Sequence, residues 1–272
     1  MKKIESIEEL HKILLDIAKD FHQVCVENNI PYYMLGGTML GAVRHKGFIP
    51  WDDDMDFGVE RKYFEKLEKI YAERKGTPYK LRTRDNSKTI FNDFDKLEDT
   101  RTLILEPARS NIKEDLGINI DVFPLDVTNG NKTFLSKNHL VRVITVINSL
   151  KYRSFQGLKF RTIIKAIIIR IVFFPFSKNF LLSFAKKYLI PGKGDYLSNL
   201  YGFWGIREVV PKDVMGTPVL YQFEDIHLYG PEKFDEYLSI LYGDYMTPAK
   251  DMNYHGDIIF DTNVSYTTYI YE

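Results

Sequence analysis

Near the start of the chain, apolar residues recur every three or four positions: Leu10, Ile13, Leu14, Ile17, Phe21, Val24 and Cys25. That spacing predicts an amphipathic packing helix. Ser6-Ile7-Glu8-Glu9 has the form of a capping box, and Asn28-Asn29 with Pro31 beyond ends the helix near residue 28. His11 and His22 fall at its surface or boundary. The period then shortens. Tyr33-Met34-Leu35 reads as a buried strand ending in Gly36-Gly37-Thr38, with a short helix from Thr38 to about His45. Residues 52–59 alternate as an extended run, and 61–74 form a second amphipathic helix led by Tyr63, Phe64, Leu67, Ile70 and Tyr71. Strand-like runs follow at 79–84, 89–97, 102–105 and 118–126. The C-terminal part adds a strand or hairpin at 218–228 and a short helix through Phe234, Tyr237 and Leu238. The fold class is α+β: a mixed β-sheet flanked by helices.

The alternation in 52–59 carries chemistry. Asp52, Asp54 and Asp56 share one parity, Met55 and Phe57 the other. In an extended chain Asp54 and Asp56 project together while Met55 and Phe57 enter a core. Adjacent carboxylates repel unless a cation lies between them. Mg²⁺ takes hard oxygen ligands and commonly arrives with phosphates, and a Gly-Gly-Thr turn brings backbone N–H groups within reach of a phosphate. This points to phosphoryl transfer at a carboxylate-bound metal. A solvated acidic turn is the plainer alternative, but the interleaved Trp51, Met55, Phe57 and Val59 tie the segment to a core. Arg44, His45 and Lys46 form a basic cluster just before the acids. Arg44 either holds a diphosphate or belongs to a solvated turn; His45 orients a phosphate or the acceptor. No P-loop is present, because Ala42-Val43 stand where Lys-Ser/Thr should follow.

A second acid, Asp121, interrupts the β-branched run Ile118-Asn119-Ile120-Asp121-Val122. Asp is a poor strand residue, so it needs a reason there, such as a metal or a neighbouring strand's charge.

The segment from Leu35 to Asp56, with its Gly-Gly-Thr turn, Arg44-His45-Lys46-Gly47 and Trp51-Asp52-Asp53-Asp54-Met55-Asp56, resembles the signature of the LicD family of phosphocholine transferases. Tyr242-Gly243-Asp244-Tyr245-Met246 resembles a second family landmark, loosely continued by Lys250 and His255. The resemblance implies a nucleotidyltransferase-like fold with a third carboxylate on a later strand, assigned to Asp121 with Asp126 as the alternative. It implies that Asp54, Asp56 and Asp121 are catalytic and hold one or two Mg²⁺ ions. Gly36, Gly37, Thr38, Arg44, His45 and Lys96 then face substrate. Lys96 and Thr102 resemble a family pairing, in which Lys96 touches phosphate or only caps a strand edge. Asp244 binds substrate or braces the site. The implied donor is CDP-choline, the acceptor a sugar hydroxyl on a lipid-linked teichoic acid or lipopolysaccharide precursor, and CMP leaves. A quaternary ammonium calls for an aromatic cage; Trp51, Tyr201 and Trp204 supply one or are simply core. Relatives move other groups, so ribitol, glycerol or ethanolamine phosphate is an alternative cargo, as is true nucleotidyl transfer. The non-enzyme alternative is a membrane- or polyanion-binding protein.

Charge changes the picture once more. The 272 residues hold 37 basic and 37 acidic side chains, yet residues 127–194 hold 13 Lys and Arg and no Asp or Glu. Within that block 163–176 is Ile- and Phe-rich, too short and too charged to span a bilayer. It predicts a helix lying on an anionic membrane surface, or else a helical insert packed on the core. The expected division is a catalytic core over 1–126, a basic helical insert over 127–194, and a part completing the substrate site over 195–272. The basic start lacks an apolar signal core and no stretch spans a membrane, so the expected location is cytoplasmic, peripheral at the inner face of the cell membrane. Cys25 alone permits no disulfide and no Cys/His zinc spacing. Nucleic acid is not expected as a partner, since Ile and Phe suit acyl chains better than a phosphate backbone.

Overall fold

The computed structural model describes residues 6–88, 90, 93–105, 114, 116–130, 132–156, 158–188, 193–247 and 259–261. Helix α1 (Ile7–Glu27) begins where Ser6 accepts a hydrogen bond from Glu9 N–H, and it buries Leu10, Leu14, Ile17, Phe21, Val24 and Cys25. It ends as Asn28 turns both its N–H and its side-chain amide onto Val24 O. Its buried stripe packs against the sheet, so the 3.6-residue period read from the sequence is the period of a real interface. His11 and His22 lie at its boundary, as expected.

Among the described residues, eight strands make the main sheet. Strand β1 (Tyr32–Met34) runs antiparallel to β2 (Asp56–Glu60). Between them lies α2 (Gly36–Arg44), and after them α3 (Arg61–Glu73), which buries Phe64, Leu67 and Tyr71. Strand β3 (Tyr79–Arg82) pairs with β4 (Asp95–Leu105), and β4 pairs antiparallel with the long β5 (Leu116–Thr128). Among the described residues the one parallel ladder joins β2 to β5. The runs expected at 89–97 and 102–105 are one strand in the structure from Asp95 on, with a register shift between Asp99 and Ile104; residues 89, 91 and 92 lie outside the described residues. At the shift, Thr102 Oγ1 donates to Asp99 O and accepts from Ile118 N–H, so side-chain bonds carry the ladder across the irregularity.

The chain then leaves the sheet for three helices, α4 (Lys132–Tyr152), α5 (Phe160–Val172) and α6 (Lys178–Tyr188). They enclose a small core of Val141, Ile144, Leu181 and Leu200, separate from the main one. No helix of the described residues is long and apolar enough to cross a membrane. Strands β6 (Tyr196–Asn199) and β7 (Val209–Pro211) extend the sheet beside β5, and α7 (Lys212–Met215) follows. The predicted hairpin is β8 (Val219–Phe223) with β9 (Ile226–Gly230), and the predicted short helix is α8 (Phe234–Tyr242). Strand β10 (Ile259–Asp261) pairs with β4. Lys250 and His255 lie outside the described residues.

Candidate active site

The strand expected over 52–59 is shorter. Strand β2 starts at Asp56, and residues 52–55 precede it outside the strand, so Asp54 and Asp56 do not share a strand face. Asp52, Asp53 and Asp54 offer ligand oxygens all within 4.8 Å of one another. Met55, Phe57 and Val59 still enter the core, as the alternation requires.

The backbone of Asp56 is held from two sides. Its carbonyl accepts from Leu35 N–H at 2.9 Å and its N–H donates to Thr38 Oγ1 at 2.8 Å. The helix begins two residues earlier than the sequence suggested, at Gly36, whose φ of +49° suits glycine. Gly36 N–H donates to the buried Tyr237 hydroxyl, tying the turn to α8. A Cβ on Gly37 would lie 2.7 Å from Asp52 Oδ2, so glycine lets the first acid rest against the first turn of α2. Negative charge is favoured there by the helix dipole.

Asp121 reaches the same place by register. In the parallel ladder Asp56 stands beside Asp121, and Asp121 N–H donates to Met55 O at 2.9 Å. On its other side β4 places Lys96 opposite Asp121, and Lys96 Nζ donates to Asp121 Oδ1 at 2.5 Å and to Asn119 Oδ1 at 3.0 Å. Asp56, Asp121 and Lys96 thus form one row across three strands. The Asp56 carboxyl is pushed well above its ordinary range, by burial first and then by Asp54, Asp121, Asp52 and Glu208. Oxygen-only donors that repel one another fit a hard divalent cation such as Mg²⁺. Asp126, the alternative third acid, is instead clamped by Arg61, Nε to Oδ1 and Nη2 to Oδ2.

The other sequence-predicted residues surround this row. Thr38 is buried with its hydroxyl engaged by Asp56. Arg44 donates to Tyr245 O at 3.1 Å, joining the two landmark segments. His45 caps α2 in an exposed position, and its pKa is lowered by partial burial and by Arg44. Trp51 packs half-buried on the core. Trp204 packs edge-on against Tyr242, ring centres 5.1 Å apart, and the Tyr242 hydroxyl lies 3.6 Å from where a Gly36 Cβ would be. Tyr201 is a half-buried neighbour of Phe94. Asp244 accepts from Thr247 Oγ1 in an exposed turn.

The sequence reading missed four contributors. Asp53 was visible in the acidic run but outside the alternation. Tyr237 and Tyr242 lie in or beside the second landmark, yet a tyrosine there gives no sign of facing Gly36. Glu208 had no signal at all: it stands in a 3₁₀ turn, Gly205–Glu208, buried, accepting from Trp204 N–H at 3.2 Å.

The sequence profile of the LicD/FKTN/FKRP nucleotidyltransferase domain matches residues 29–162. The chain is 31% identical over 266 residues to the lipopolysaccharide cholinephosphotransferase LicD of Haemophilus influenzae, covering 94% of this chain and 97% of that one. It is 29% identical over 110 residues to the ribitol 5-phosphate transferase FKRP of Mus musculus, 38% of this chain and 18% of that one. It is 52% identical over 46 residues to an uncharacterized protein, RP689, of Rickettsia prowazekii, 17% of each.

Proposed function

The chain belongs to the LicD family, and from that premise we propose that it transfers phosphocholine from CDP-choline to a sugar hydroxyl of a lipid-linked teichoic acid or lipopolysaccharide precursor, releasing CMP. That it transfers a phosphoryl-alcohol agrees with the names of both characterised relatives. The observation that carries the reading is the row of Asp56, Asp121 and Lys96 beside the Asp52–Asp54 cluster.

Asp54, Asp56 and Asp121, with Asp52 near, would hold one or two Mg²⁺ ions, which when bound offset charge on the donor diphosphate. The chain's own groups do the rest. Arg44 lies at the end of α2 to neutralise phosphate oxygens. Gly37, with no Cβ, leaves the first turn of α2 open to a phosphate, and Asp52 beside it would be available to hold the cation. Asp121, its Oδ1 held by Lys96, takes the acceptor's hydroxyl proton. The acceptor oxygen bonds to the distal phosphorus, the bridging P–O bond breaks, and CMP leaves with that electron pair. Trp204 and Tyr242, packed together beside Gly36, offer ring faces for a quaternary ammonium.

The test is incubation of the protein with Mg²⁺, glycan precursor and separate CDP-choline, CDP-ribitol, CDP-glycerol and CDP-ethanolamine. CMP release with phosphocholine on the glycan supports the reading. Pyrophosphate release assigns nucleotidyl transfer instead. Turnover with CDP-ribitol alone moves the donor toward that of the mouse relative.

A further inference from the structure

Helix α5 is built inside out. Phe160, Ile164, Ile167, Ile168 and Ile171 follow the i, i+4, i+7, i+8, i+11 spacing of one helical stripe. In a globular protein such a stripe faces the core. Here it faces solvent: Phe160 is 76% exposed and Ile171 71%. The side turned inward carries Ala166, the helix's one buried residue. The turn after α5 adds Phe174, 81% exposed, and α6 adds Phe180 and Phe184. That turn is fastened rather than loose, because Lys151 Nζ donates to the carbonyls of Phe173 and Phe176. The apolar stripe is bordered by Lys159, Arg161 and Lys165, all exposed.

A patch of this size calls for an occupant. The border and the wider block decide which one. With 13 basic and no acidic residues in 127–194, a second copy brought face to face would add like charge to like. An acidic surface with an apolar layer beneath it fits both features. Apolar side chains enter the acyl boundary while Lys and Arg reach the phosphates above.

We infer that α5, the turn at 173–176 and the start of α6 form a docking face for an anionic lipid bilayer, with α5 lying along the surface. The face is made by residues outside the carboxylate site, so the inference does not depend on the transfer reaction.

The full chain is mixed with phosphatidylcholine vesicles and with phosphatidylcholine–phosphatidylglycerol vesicles and sedimented. Binding is expected to the anionic vesicles, about tenfold or more tighter than to the neutral ones, and weaker at high salt. Ile171→Ser with Phe174→Ser, and separately Arg161→Glu with Lys165→Glu, should each reduce binding about tenfold or more. Their circular dichroism should match that of the parent, since these side chains are exposed. Equal binding by parent and variants, or no binding at all, overturns the inference. So does concentration-dependent self-association that the Ile171/Phe174 variant abolishes, which assigns the face to a second copy. CMP release in the same variants reports on the transfer reading separately.

Discussion

Lys96 and Asp121 face each other across the β4–β5 ladder with Nζ 2.5 Å from Oδ1. The ammonium therefore competes with any cation that Asp121 helps to hold. Lys96→Ala is expected to tighten divalent binding several-fold, read by Mn²⁺ titration, while turnover falls about tenfold or more because the carboxylate loses its positioning partner. Unchanged Mn²⁺ affinity would separate Asp121 from the metal.

Asp56 sits among like charges, and that arrangement costs stability. Its folded-state pKa is raised, so ionised Asp56 destabilises the metal-free fold above the unfolded-state value. Asp56→Asn should abolish turnover yet raise the metal-free melting point by about 2–4 °C. A fall in melting temperature would mean that the carboxylate is satisfied by its surroundings.

Glu208 supplies a pH dependence of its own. Burial pushes its carboxyl up to about 7, against the pull of Trp204 N–H, Arg142 and Asn199. The folded form holds the proton more tightly than the unfolded chain does. Its contribution to stability is thus full below about 4.5 and is lost as pH rises through about 7. Glu208→Gln should flatten this slope, leaving the variant more stable at pH 8 than the parent by up to about 3 kcal/mol, measured by urea unfolding at several pH values. Parallel curves for the two proteins would refute it.

Asp126 and Asp121 are five residues apart and have different work. Asp126 is 1% exposed and held by Arg61 at two points. Asp126→Ala leaves that guanidinium with Asp93 as its remaining carboxylate partner and should cost about 2–3 kcal/mol, with turnover per folded molecule near that of the parent. Asp121→Ala should show the reverse, a small stability change and lost turnover. The two variants measured side by side decide which is the third acid.

Helical elements were legible because their apolar period survives in the fold: α1 and α3 lie close to the bounds expected, and α8 lies where a short helix was read. The alternation at 52–59 predicts a longer strand than forms, because side-chain parity does not fix where ladder pairing begins, and β2 begins only at Asp56. Asp52 rests against the first turn of α2, with Asp53 and Asp54 close to it. The split of β4 into two runs missed that Thr102 bridges the register shift with its own side chain.

By itself the sequence determined which residues can carry charge into an apolar setting, since Asp between Met and Phe, or between Ile and Val, is expensive anywhere. Only the tertiary structure decided which of those charges meet. Ladder register is a property of two strands at once, and one step of slip would turn Asp121 to the opposite face from Asp56. The same holds for Tyr237 and Glu208, whose closeness to the site comes from chain segments that carry no local mark of it.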